Sequence, residues 1–491
     1  MTTKPVLVHT GNRADPRNDG GRRSVPWRIV IASAVTAIFI ALTVASFTNR
    51  STNGFVVWSD GVAYFLYARS AVIDHDFEIT DEYDYLDKAI PGQSKALEPL
   101  RKWSSRRADG TLQAPWPRGA GLIMTPFYAA GYAAELAIAA YSGRPANSYG
   151  VIPQTGFILG SVAFGLLGFW CLFLLCCEVA QTRIAYLASL GVTLGGPVVF
   201  YVLFNPSMAH ASSFGLIALL TLVWIRAWKL GPTAATMVAL GLILGIAATV
   251  RYQNAVFGIM LAALVLKEIN RSGLALASLR AAIGLVACCV PVALILGGQL
   301  MMSAGQQGSQ VTVGQYPIDL ASPYFLDVLI SCRHGAFHWA PVLAVGVLGL
   351  FWKLTDTGAT RDDKGLVVVL LATLVAHAYL IGGLSLTTVA YGNNPPPPGW
   401  LHHWDDAPSF GMRYLTECAP VFALGLAFLM QATRRYVGLA VWVVALTFLA
   451  TWNALLIVAY GLETVSRSGC LSYFDMLKGF SAIFRALLHR I

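Results

Sequence analysis

Residues 157–177 read FILGSVAFGLLGFWCLFLLCC, an unbroken apolar run with no charged residue and no proline. As a helix rising about 1.5 Å per residue, such a run crosses the ~30 Å hydrocarbon layer of a bilayer. Comparable runs occupy Ile29–Phe47, Ala120–Tyr141, Ile184–Phe204, Ala209–Trp228, Ala234–Val250, Ala255–Leu266, Ala281–Met301, Ala336–Trp352, Leu366–Leu386, Met412–Met430 and Val437–Tyr460. Only helices and closed barrels satisfy their backbone inside lipid, and runs this long and continuous are helical. The sequence therefore predicts an all-α polytopic membrane protein with roughly 11 to 13 transmembrane helices.

Composition agrees with this. Of 491 residues, 56% are apolar and 12% charged, and the mean hydropathy is +0.61. Soluble globular proteins carry about 25% charged residues, so an ordinary cytosolic enzyme is excluded. The net charge of +9 comes from Lys and Arg at the ends of apolar runs. That is the positive-inside pattern of a membrane protein, so no nucleic-acid partner is expected. Of the eight cysteines, Cys171, Cys176, Cys177, Cys288 and Cys289 lie inside apolar runs and read as small hydrophobes. No disulfide or zinc framework is visible. Cys332, Cys418 and Cys470 are free to pair only if two of them face an oxidising compartment.

Residues 1–26 are polar and end in a cluster of arginines, which predicts a disordered cytosolic tail feeding a retained first span. Residues 27–460 then form the membrane domain. Its outer loops are 49–118, 303–335 and 387–411, and residues 461–491 form an amphipathic helix along the membrane surface. Strict alternation through every run would put Lys353, Arg361, Lys364, Arg434 and Arg435 outside. One run between Ala120 and Leu266 is therefore expected not to cross, and Ala255–Leu266 is the candidate because twelve residues are short.

The first outer loop holds ten of the 25 acidic residues. Most read as a solvated acidic surface, but Asp60 opens a helix-competent stretch, Ser59-Asp60-Gly61-Val62-Ala63-Tyr64-Phe65-Leu66-Tyr67-Ala68-Arg69. At 100° per residue Asp60, Tyr64, Tyr67, Ala71 and Asp74 share a stripe. This predicts a juxtamembrane helix lying on the bilayer with its carboxylates outward. Asp60 reads equally as its N-cap or as a chemical group. Arg118, where the chain re-enters the membrane, either snorkels or holds an anion. Arg333, His334 and Arg413 lie near the ends of apolar runs, where a cation is costly unless paired, and a phosphate would suit them. His402, His403, Asp405 and Asp406 include metal-ligand types, although neighbouring positions rarely all reach one ion. His210 follows a break at Asn205-Pro206 and reads first as a hydrogen-bonded helix-end residue, while Arg251 needs a partner that the sequence does not name.

Three features together resemble the C-type superfamily of integral-membrane glycosyltransferases, which includes protein O-mannosyltransferases and lipid A aminoarabinose transferases. They are a first span followed by an acidic loop opening with Asp60-Gly61 and Tyr64, a re-entry over Gly119–Phe127 containing Pro126, and eight or more further spans. Bacterial membrane glycosyltransferases also carry segments similar to Asn205–Ala211, Ser331–Gly335 and Pro408–Tyr414. The resemblance implies sugar transfer from a polyprenyl-phosphate donor to a hydroxyl acceptor, at the outer face of a bacterial inner membrane. Asp60 would be the base, with Asp74 and Asp76 as candidate partner carboxylates. Tyr64, Tyr67, Arg118, His210, Arg333, His334, His402 and Arg413 would bind substrate. Families of this kind often place a second acidic residue directly after the first, and Gly61 stands there in this chain. A divalent cation such as Mg or Mn therefore remains open as a cofactor, with no ligands assigned. The competing classes are a transporter or lipid flippase, and a polysaccharide polymerase or ligase.

Overall fold

A computed structural model describes residues 55–89, 97–304, 312–313, 316–317, 324–384 and 409–488. The tail, the first span, the Pro395–Pro398 segment and His402, His403, Asp405 and Asp406 lie outside the described residues. The described chain opens with α1 (Gly61–Ile73), α2 (Thr80–Ala89) and α3 (Glu98–Trp103), then a short antiparallel hairpin pairing Ser105 with Gln113 and Arg106 with Leu112. The broken pair α4 (Gly119–Leu122) and α5 (Thr125–Ser142) leads to α6 (Val151–Cys177) and α7 (Thr182–Gly195). A π-helical turn, Phe200–Phe204, precedes α8 (His210–Leu230) and α9 (Ala234–Val250). A 3-10 turn, Tyr252–Phe257, opens α10 (Gly258–Ser272), and α11 (Leu274–Ala304) follows. The chain continues through α12 (Phe325–Ile330), α13 (Ala336–Trp339), α14 (Pro341–Thr355) and α15 (Arg361–Gly382). A second 3-10 turn, Arg413–Cys418, opens α16 (Ala419–Thr433), and α17 (Leu439–Gly461) and α18 (Tyr473–Leu488) complete it.

Among the described residues seven helices are long and apolar enough to cross a membrane. The shorter α9, α14 and α7 with its π turn run the same course, because their ends meet the same two groups of residues. At one end Arg226 and Lys229 reach Glu178, Lys267 reaches Asp362, and Gln431 accepts from Gln181. This end is rich in cations at the helix termini. The other end gathers Asp60, Ser207, His210, Arg251 and the turns around Arg333 and Arg413.

Helices pack here through small residues, since lipid offers no hydrophobic drive to associate. A Cβ on Gly349 would come within 1.9 Å of the Gly425 carbonyl oxygen, so only glycine permits the contact between α14 and α16. Breaks in the helices are paired as well. Asn453 on α17 donates to the carbonyls of Leu194 and Gly196, both at 2.8 Å, where the chain leaves α7 before Pro197.

Three sequence expectations are corrected. Ala255–Leu266 is the middle of a 21-residue helical run, Tyr252–Ser272, that reaches the cationic end through Lys267. The run that stops short is Ala120–Tyr141. Its helix breaks after Leu122, Met124 and Phe127 pack at the level of Gly160, and Gly131 packs at Pro153 and Gly156. It thus accompanies only the first part of the 27-residue α6. Second, α1 does not lie on a surface, since Gly61–Ala68 are buried throughout. Third, Cys332 and Cys470 form a disulfide, while Cys418 is buried and free.

Candidate active site

Asp60 is the residue before the first turn of α1, yet its side chain caps nothing. The carboxylate is about three-quarters buried and faces the Arg413 guanidinium at 3.8 Å. Gly61 is what brings it there. A Cβ at that position would lie 2.5 Å from the Ser207 Cβ, so the turn rests directly on the segment before α8. The Ser207 hydroxyl completes the contact by donating to the Trp58 carbonyl at 3.2 Å. A second acidic residue after Asp60 has no room.

Arg413 begins the 3-10 turn ahead of α16, and one of its nitrogens donates to the Tyr414 hydroxyl at 3.0 Å. Its guanidinium carbon lies 4.8 Å from the Tyr414 ring centre, a cation–π distance. The preceding turn is fixed from below, since Tyr201 donates to the Phe410 carbonyl at 3.0 Å and accepts from the Phe410 amide at 3.2 Å.

The turn Ser331–Gly335 supplies a second cation, Arg333, and a histidine, His334. Trp339 donates through its indole nitrogen to the Arg333 carbonyl at 2.7 Å, and the Arg333 amide donates to Ser331 Oγ at 3.2 Å. His334 is 1% exposed, and neither ring nitrogen has a hydrogen-bond partner. Burial, reinforced by the charges of Arg413 and Arg333, holds its pKa down at about 3. The ring is neutral at physiological pH, with one donor and one acceptor nitrogen unused. A buried imidazole beside two guanidinium groups offers a donor and an acceptor that an anionic or hydroxylic guest can meet.

The turn is tied to the chain's end. The Cys332–Cys470 disulfide closes a loop over a separation of 138 residues. Around it the Leu471 amide donates to the Cys332 carbonyl at 3.1 Å, and His338 donates to the Leu471 carbonyl at 2.7 Å.

The other predicted residues are placed as follows. Tyr64 and Tyr67 are buried along α1, and Arg118 lies with its guanidinium carbon 5.9 Å from the Tyr67 ring centre. His210 sits one layer deeper, its ring nitrogens 3.0 Å from Arg251. Asp74 pairs with Arg69, which also reaches Glu82 at 3.1 Å. Asp76 accepts from Ser70 at 2.5 Å and from the Glu78 amide at 3.0 Å. Both carboxylates thus hold the far end of α1. Among the described residues, the group of three metal-ligand types within 4.8 Å of one another is Asp74, Asp81 and Glu82, and Asp60 is not in it. The sequence reading missed Tyr414 and Glu417, the latter fully buried and 2.8 Å from Arg251.

The fold is similar to two solved structures of ArnT from Cupriavidus metallidurans. The apo form matches with a TM-score of 0.44 and the form bound to undecaprenyl phosphate with 0.47. Both are 13% identical, and each likeness covers 95% of this chain and 72% of that one. No protein-family model and no curated protein sequence matches the chain.

Proposed function

We propose that the protein is a membrane glycosyltransferase, moving a sugar from a polyprenyl-phosphate-linked donor to a hydroxyl acceptor, with Asp60 as general base. The observation that carries this reading is the meeting, at one end of the bundle, of a single carboxylate with Arg413 and the unsatisfied ring of His334. Asp60 takes the proton of the acceptor hydroxyl, and that oxygen attacks the anomeric carbon. The bond from that carbon to the phosphate oxygen breaks, and the electron pair leaves with the phosphate. Arg413, Arg333 and His334 meet the charge that develops there. One displacement of this kind inverts the anomeric centre. When the donor phosphate arrives it competes with Asp60 for Arg413, releasing the carboxylate to act as a base.

Two observations support action at the outer face of a bacterial inner membrane. The disulfide beside Arg333 requires an oxidising compartment, and the opposite end of the bundle carries the cationic helix ends.

The test is transfer of radiolabelled sugar from a panel of polyprenyl-phosphate sugars to membrane extract, comparing the wild type with Asp60→Asn. Transfer by the wild type, reduced by roughly 10²–10⁴-fold in the variant, is the expected outcome. Equal transfer by both forms would remove Asp60 from the chemistry.

A further inference from the structure

Behind the Asp60–Arg413 contact lies a second, fully enclosed set of charged groups that the proposed reaction does not use. Arg251, at the junction of α9 and the Tyr252–Phe257 turn, is 7% exposed. Its Nε lies 2.8 Å from the Glu417 carboxylate, and one terminal nitrogen lies 3.0 Å from the His210 ring. Glu417 is 0% exposed and stands one helical turn after Arg413. Burying such a pair costs desolvation on both sides, so stability alone does not explain it.

The link to the site is the Tyr414 ring. The guanidinium carbon of Arg251 lies 5.1 Å from its centre and that of Arg413 lies 4.8 Å from the same centre. Two cations drawn to one ring repel each other unless one is neutralised. Glu417 does this for Arg251 and leaves the charge of Arg413 turned toward Asp60. The backbone of Tyr414 is fixed too, since His377 donates to its carbonyl at 2.9 Å.

We infer that Arg251 and Glu417 are positioning residues for the anion site, holding the Tyr414 ring so that the Arg413 guanidinium is presented to a lipid phosphate. The inference rests on the reading of Arg413 as a phosphate ligand. It predicts that the pair acts on phosphate affinity without touching the phosphate.

The experiment measures binding of undecaprenyl phosphate to purified full-length protein, together with the unfolding temperature, in five forms: wild type, Arg413→Gln, Glu417→Gln, Arg251→Lys, and the double variant Arg251→Met with Glu417→Leu. Arg251→Lys keeps the charge pair but loses the planar group over the ring, and binding should weaken about tenfold. Glu417→Gln should weaken it similarly. The double variant removes both charges together, so its unfolding temperature should return toward that of the wild type while its binding stays about tenfold weaker. Wild-type binding by Arg251→Lys or by a stable double variant would overturn the inference and reduce the pair to a structural one. If Arg413→Gln itself binds as tightly as the wild type, the phosphate-site reading fails first, and the positioning claim falls with it for that separate reason.

Discussion

At the scale of single residues, His334 makes the sharpest statement about conditions. Its ring is held neutral in the folded chain, with a pKa of about 3 against an ordinary 6.5. Between those values the folded state binds fewer protons than the unfolded one, so its contribution to stability is full above pH 6.5 and is lost as pH falls. The slope approaches about 1.4 kcal/mol per pH unit. We expect the unfolding midpoint of the purified protein to drop more steeply between pH 6.5 and 5 than that of His334→Gln, and parallel curves would contradict the burial argument. Residues of this kind were partly legible. Asp60 stood out because it opens a helix just beyond a span, and Arg251 because a cation between apolar runs demands a partner. Glu417 was hidden by averaging: one carboxylate inside Met412–Met430 hardly changes the hydropathy of that run, although an acidic residue at such a depth is itself the signal. The glycine after Asp60 looked like a defect in the motif. Its reason is steric, and lies 146 residues away in Ser207.

Elements show where hydropathy misleads. Ala255–Leu266 reads as too short and Ala120–Tyr141 as long enough, but packing reverses the two. A run's own composition says nothing about the 3-10 turn that lengthens Tyr252–Ser272, or about the break after Leu122 that leaves α5 alongside only part of α6. The α1 stripe of Asp60, Tyr64, Tyr67 and Asp74 is equally silent on whether another helix covers it, and here α1 is enclosed. The pairing of Cys332 with Cys470 could not be chosen over pairings with Cys418, since cysteine count does not fix connectivity. With a separation of 138 residues, the bridge ties the Arg333–His334 turn to the segment that leads into α18. Cys332→Ser with Cys470→Ser, or reduction of the wild type, should lower stability by about 2–4 kcal/mol and weaken lipid-phosphate binding together. Loss of stability with unchanged binding would show that the bridge does not hold the turn in place.

For the whole molecule, the two ends of the bundle carry opposite assignments, and these can be read without any substrate. The exposed residue Asp109 belongs to the segment between α1 and α4, proposed to face outward, whereas exposed Thr357 lies between α14 and α15 near the Lys353–Asp356 pair at the cationic end. In intact cells, a membrane-impermeant thiol reagent should modify Asp109→Cys and should reach Thr357→Cys only after permeabilisation. The reverse pattern would place Asp60 on the cytosolic side. The helical bundle and its apolar spans were legible from composition and periodicity alone. Asp60, Arg333, His334 and Arg413 were legible one by one, but their meeting was not, because segments around residues 60, 207, 334 and 413 are brought together only by the tertiary fold. The most direct measurement of the account is therefore a cryo-electron microscopy map of the wild-type protein with undecaprenyl phosphate. The account predicts phosphate density held by Arg413, Arg333 and His334 and facing the Asp60 carboxylate. Phosphate density elsewhere, with the Asp60–Arg413 contact unchanged, would contradict it.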